Sequence, residues 1–276
     1  LTAPALFAVA VAGGVGVLGL AAAHGRSGTS DGGTSGAAVG AGLLIEGAAL
    51  LLVLVDKPAH LVAAYALVGV VGATAPVFCG RGPGHQTSGL IKVFGVQRLG
   101  DAGLVVALLC LSASLGSLSF ESLLAGAPSL EPWDKLNGGA FDGVAHRTLW
   151  FAAGCGVVVG VASRAGLLCW PLLRDATSAG DVPPPLAGLV HGLAFHGAGA
   201  ILLLQLHPVI ALSPEVQDGL VVAGVATLVL AGPLALAGRD LLRLDAHLLA
   251  CFSGVIAVCA GAQDVAGVAL GALFVT

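Results

Sequence analysis

The sequence predicts an all-α protein, a polytopic transmembrane bundle of about eight or nine helices. Hydrophobic residues make up 57% of it and charged residues only 9%, with a mean hydropathy of +1.00. That leaves too little polar surface to cover a water-soluble globule. Nearly every stretch between polar breaks approaches the ~20 apolar residues that a helix needs to cross a bilayer. Those stretches are continuously apolar and rich in Ala, Gly, Leu and Val, whereas a membrane barrel would alternate apolar and polar residues in short strands.

The polar breaks place spans near 1 to 23, 30 to 48, 49 to 75, 88 to 115, 145 to 165, 184 to 206, 216 to 237 and 244 to 262, followed by an apolar tail at 263 to 276. The chain begins at Leu1 and contains no methionine, as a processed protein or one piece of a larger gene would. The first span lacks a basic leader and a small-residue cleavage site, so it reads as a retained helix and not a signal peptide. The apolar run from about 37 to 75 is too long for one crossing and must turn. Asp56-Lys57-Pro58, two charges and a proline, is one candidate turn. Gly47 to Ala49 is the other, and would leave Asp56 and Lys57 inside the membrane.

The long loop at 116 to 144 is rich in Gly, Pro, Ser and acidic residues, a surface connection with room for a short helix at Phe120 to Leu124. Gly166, Pro171, Pro183, Pro184 and Pro185 cluster between the fifth and sixth spans. Two readings stand there: a broken helix of the kind that lines ion pathways, or a plain loop. The tail would rise only about 21 Å as a helix against about 30 Å of hydrocarbon, so it does not cross alone and the chain reads as interrupted. Alternating the loops between two sides gathers Arg26, Arg81, Arg174, Arg239 and Arg243 on one face, with Lys135 and Arg147 opposite. The positive-inside tendency makes the first face cytoplasmic, or the matrix in a mitochondrion. The whole of 1–276 forms one membrane domain, with early helices to 87, a central part at 88–206 and a last part from 207.

A net charge of -4 without a basic tract excludes a nucleic-acid footprint. Cys79, Cys110, Cys155, Cys169, Cys251 and Cys259 show no close pairing, mostly lie in apolar runs and are read as small hydrophobes. No haem, iron-sulfur, nucleotide or nucleophile motif is visible, so neither a cofactor nor an independent catalytic site is expected.

An ionisable group at membrane depth costs at least about 2.5 to 3.5 kcal/mol, which makes each one a functional candidate. Glu46, Lys92, Arg98, Asp101, Arg164, His191 and His196 qualify, though those near helix ends, Lys92 above all, are also able to snorkel to the interface. Arg98 and Asp101, three residues apart, share a helix face and form a local ion pair. His191 and His196 are five apart, about 140° of α-helical rotation, and point to different faces. Each is either a packed, hydrogen-bonded ring or, for His191, a proton relay titrating near neutrality.

The segment Lys92-Val93-Phe94-Gly95-Val96-Gln97-Arg98-Leu99-Gly100-Asp101-Ala102-Gly103 resembles the K-A-F-x-x-x-R-x-G-D-x-G stretch of NADH dehydrogenase subunit 5 and its bacterial counterpart, the antiporter-like membrane subunits of respiratory complex I. Leu167 through His191, with Trp170-Pro171-Leu172 and Arg174-Asp175-Ala176, is similar with small insertions to that family's P-L-H-x-W-L-x-D-A-M-x-G-P-T-P-V-S-A-L-I-H region. Leu206-His207-Pro208, Pro214-Glu215-Val216 and Gly238-Arg239-Asp240-Leu241-Leu242-Arg243 follow in the family's order. Tyr65-Ala66-Leu67-Val68-Gly69 resembles its S-Y-L-L-I-G, and Gly14-Val15-Gly16-Val17-Leu18 a run in an early helix.

The resemblance implies an antiporter-like fold of inverted five-helix repeats, the first complete here and the second truncated. It implies proton half-channels built from a buried Glu, a Lys on a broken helix and a central row of Lys and His. Arg164 then stands near the broken-helix Lys, His191 matches the relay His, Arg98 and Asp101 match a supporting pair, and Asp240 a turn residue. The family's W-E falls at Lys57-Pro58, so its buried Glu is absent, and Asp56 or Glu46 are the stand-ins. Arg164 replaces a lysine, and an arginine keeps its proton where a desolvated lysine sheds one. The family's first two helices and long lateral helix are missing, which suggests a split subunit completed by another chain or a degenerate copy.

The implied function is a complex I membrane-arm subunit contributing to proton translocation, with other membrane-arm subunits and lipids as partners, in the mitochondrial inner membrane or a bacterial plasma membrane. The alternatives are a non-conducting brace of the same arm, or a subunit of a related cation/proton antiporter or bicarbonate-uptake complex.

Overall fold

The computed structural model describes residues 14, 32–55, 57–79, 85–115, 140–175, 182, 184–238 and 241–269. In chain order these form α1 (Gly32–Leu54), α2 (Pro58–Cys79), α3 (His85–Leu115), α4 (Ala140–Ala165), a short α5 (Trp170–Asp175), α6 (Pro184–Leu189), a π-helical segment (Val190–Gly197), α7 (Ala198–Ile210), α8 (Pro214–Leu236) and α9 (Leu241–Gly261). Among the described residues, seven stretches are long and apolar enough to cross a bilayer: Gly36–Leu54, Pro58–Val77, Gly89–Ser114, Arg147–Ala165, Pro184–Ile210, Pro214–Leu236 and Arg243–Gly261. They match the second to eighth spans expected from the sequence one for one. The first span, the short helix at Phe120 to Leu124, Asp56 and Asp240 lie outside the described residues.

The turn between α1 and α2 falls at 55–57 and not at Gly47 to Ala49, through which α1 runs unbroken. Proline explains the choice. Pro58 has no N–H to give to a preceding turn and fits the first position of a new helix, where Lys57 already accepts from Leu61 at 2.9 Å. A glycine inside a helix costs only about 1 kcal/mol, and hydrocarbon forces every backbone group into the helical ladder. The prolines at 184 and 185 likewise begin α6. The loop expected to reach 144 is shorter, because α4 already starts at Ala140.

Two helix pairs dominate the packing, α3 with α4 and α8 with α9. Both cross where small residues face each other, as expected where packing and not water exclusion holds helices together. A Cβ on Gly103 would lie 2.9 Å from the Gly156 carbonyl, and one on Gly224 2.6 Å from the Gly254 carbonyl. The continuous rod of α6, the π segment and α7 threads between these pairs: 89% of its spanning window is buried, against 28% for α8. It is the axis of the molecule. The six cysteines are free thiols, with Cys79 in the core.

Candidate functional site

The site grows from the C-terminal end of α4. That helix stops at Ala165 because Gly166 takes the left-handed conformation, φ +72°, which ends a helix at little steric cost. Leu168 is also left-handed, φ +60°, a conformation that a γ-branched residue adopts only when its surroundings hold it. They do: its N–H donates to the Thr227 hydroxyl on α8 at 3.2 Å. Trp170 restarts the helix, donating its N–H to the Gly166 carbonyl at 3.1 Å, and packs edge-on against His247 of α9. Of the two readings of this region, a helix break is what stands at Gly166, and it is clamped from α8 and α9.

Arg164, one residue before the break's edge, is completely buried. Its Nη2 donates to Asp101 Oδ1 at 2.8 Å, and its guanidinium carbon lies 3.7 Å above the Tyr65 ring. The other Asp101 oxygen meets Arg98 Nη2 at 2.6 Å, so the i, i+3 pair read from the sequence forms. One carboxylate thus sits between two guanidinium groups, and the cluster carries a net positive charge. Arg98 is the outer member, half-buried, against Phe94 and within 3.4 Å of the Ala66 carbonyl. A fully buried cation costs several kcal/mol unless paired; here a carboxylate and an aromatic face supply the compensation. Nε and Nη1 of Arg164 have no acceptor among the described residues.

The neighbours are shaped for this charge. Tyr65 is fixed by donating its hydroxyl to the Gly160 carbonyl at 2.8 Å, and Ser163 donates to the same oxygen at 2.7 Å. Gly69 has no side chain because the Arg164 guanidinium occupies the space a Cβ would take. Gly100 yields in the same way to the Ser163 side chain. Gln97, one turn before Asp101 on α3, is also fully buried, and neither amide atom is bonded among the described residues.

His191 and His196 lie in the π segment, both buried, His191 edge-on to Phe195 with ring centroids 5.9 Å apart. The rotation expected from α-helical geometry does not apply to them. In a π-helix residue i+5 follows i by about one turn, so the two positions fall nearer one face than α-helical rotation would put them. His196 Nδ1 is 2.8 Å from the Ser253 hydroxyl of α9.

The remaining sequence candidates stand apart from this cluster. Glu46 is half-buried on α1, Lys57 is exposed in the turn before α2, and Lys92 is exposed on α3. Tyr65, Gly69, Gln97, Ser163, Thr227 and Ser253 were not singled out as site residues. Tyr65 and Gly69 belong to a family-like run, the one available signal for them; Ser253 and Thr227 carry none.

The sequence profile of the family described as "NADH:quinone oxidoreductase/Mrp antiporter, TM" matches residues 80–250. NADH-quinone oxidoreductase subunit L of Pseudomonas aeruginosa is 31% identical over 157 residues, 57% of this chain and 23% of that protein. The subunit L of Escherichia coli is 30% identical over 158 residues, 57% of this chain and 23% of its own length. NAD(P)H-quinone oxidoreductase subunit 5, chloroplastic, of Chloranthus spicatus is 31% identical over 159 residues, 56% of this chain and 20% of that protein. Among solved structures, a chain of the Mrp complex from Dietzia sp. DQ12-45-1b superposes with a TM-score of 0.70 at 20% identity, covering 97% of this chain and 29% of that one. The present chain therefore spans less than a third of the length of these proteins.

Proposed function

Because the chain belongs to the NADH:quinone oxidoreductase/Mrp antiporter transmembrane family, we propose that it is a membrane-arm subunit of NADH:ubiquinone oxidoreductase, complex I, and contributes to proton translocation coupled to quinone reduction. The observation that carries the reading is Asp101 held between Arg98 and the fully buried Arg164 at the end of a broken spanning helix. Charge is retained at such depth where it faces protein or an internal aqueous path. Arg164 keeps its proton at any accessible pH and acts as a fixed charge. Proton carriage falls to Asp101, to His191 and to internal water between them, with Tyr65 and Arg98 holding the carboxylate and guanidinium in register.

Glu46, Lys57 and Lys92 are proposed as outer or entry groups, subordinate to that cluster, and Asp56 and Asp240 as further candidates by sequence alone. Other membrane-arm subunits are the partners. The membrane is the mitochondrial inner membrane, or the plasma membrane if the source is bacterial.

A second reading, a non-conducting brace, draws support from the arginine at 164 and from Lys57-Pro58 standing where the family resemblance puts W-E, which removes the buried Glu. The fold likeness to an Mrp complex chain favours a third, a subunit of a cation/proton antiporter. Affinity isolation of the chain from its native membrane separates the last from the first. The account expects the other subunits of a quinone reductase to come with it; isolation alone, or with antiporter subunits only, would refute the assignment.

A further inference from the structure

His196 is fully enclosed, its ring wedged between the broken end of α4 and α9. Nδ1 faces the Ser253 hydroxyl of α9 at 2.8 Å. The ring also faces the backbone of Ala165, the last residue of α4. Its Cε1, between the two nitrogens, sits so close to Gly166 that a Cβ there would lie 2.8 Å away. The Ala165 carbonyl is one that the break in α4 releases from the helical ladder. A carbonyl only accepts, so the nitrogen facing it carries the hydrogen, and with Nδ1 at Ser253 that nitrogen is Nε2. Hydroxyl and carbonyl are both uncharged, and a second buried cation one helix end from Arg164 would have no anion of its own among the described residues. The ring is therefore neutral and Ser253 donates to it.

We propose that His196 is a positioning residue, an Nε2–H imidazole strut that fastens the broken end of α4, and with it Arg164, to α9. Neither nitrogen is free to pass a proton on, which separates its role from that of His191. Any shift of α9 along the bundle is delivered through Ser253 and His196 to the residue next to Arg164. The consequence for transport rests on the conduction reading above; the tautomer does not.

The test uses the full chain, labelled with 15N-histidine, in its assembled complex in lipid. Solid-state NMR reads the ring nitrogens, and the loss of one signal set in His196→Gln assigns them. Proton transport is measured for His196→Gln, His196→Leu and Ser253→Ala. Glutamine places an amide N–H where Nε2–H stood, so it should retain more than about half the wild-type rate, while leucine should lose about fivefold or more, as expected for one stranded buried carbonyl. Ser253→Ala, which keeps the ring, should cost about twofold by loosening the α9 end. A ring protonated on Nδ1, or on both nitrogens, overturns the proposal, as does a glutamine variant as defective as leucine. If Arg164→Leu leaves transport untouched, the conduction reading has failed and the NMR result alone decides the strut.

Discussion

The α3–α4 and α8–α9 pairs are built on the same packing rule and differ in what they carry. Each is antiparallel and each closes over glycines, Gly103 on Gly156 in one and Gly224 on Gly254 in the other. In the first, the turn beyond the crossing places Asp101 against Arg164 and lets Gly100 make room for Ser163. In the second, the corresponding polar groups are uncharged: Thr227 bonds its own helix at Ala223, 2.7 Å, and caps Leu168, while Ser253 serves His196. Close helix approach is thus separable from charge. The glycines set how near two helices come, and the residues one turn away decide whether that proximity is used to hold an ion.

The largest effect should come from breaking the ion cluster on one side only. Asp101→Leu strands Arg164 without its carboxylate, and loss of one partner of a buried pair costs about 3 to 5 kcal/mol. The variant should fail to assemble or should melt far below the wild type in a detergent thermal scan, with no detectable proton transport. A variant of near wild-type stability would contradict the pairing. A valine at a glycine crossing should cost about 1 to 3 kcal/mol in either pair, since overpacking is paid in strain. The comparison sharpens here: Gly156→Val should depress transport along with stability, because it displaces α4 and Arg164, whereas Gly224→Val should lower the melting temperature and leave the rate per folded complex largely intact. Equal loss of rate in both would erase the distinction between the pairs.

Smaller still is Tyr65→Phe. It removes the hydroxyl that Tyr65 gives to Gly160 but keeps the ring beneath Arg164. About 1 kcal/mol of stability should go, with transport reduced only a few-fold. Tyr65→Leu, which also removes the aromatic face, should be the more damaging of the two. The ordering is read by thermal scanning of the two variants side by side.

The sequence made some of this legible for local reasons. Arg98 and Asp101 are three residues apart on one helix, and a helix of that register leaves them little choice but to meet. Pro58 and Gly166 announced a helix start and a helix end because each restricts or frees its own backbone. What stayed hidden was non-local. Arg164 finds Asp101 across 63 positions, and Tyr65 finds Gly160 across 95, through a packing arrangement that periodicity does not encode. Two apolar-all-round helices also give no stripe to say which face turns inward. The π segment is a different case. Nothing in Val190–Gly197 marks i→i+5 bonding, so α-helical rotation sends His191 and His196 to different faces, whereas the wider turn narrows the angle between them.

The central claim is that charge buried at the broken end of α4 takes part in moving protons. The most direct test is the number of protons translocated per electron pair by the assembled complex carrying Arg164→Leu, with quinone reduction measured in the same membranes. The account predicts that proton yield falls while the complex remains assembled and NADH oxidation continues at a reduced rate. An unchanged proton yield at normal turnover would leave Arg164, Asp101 and Arg98 as a brace and contradict the claim.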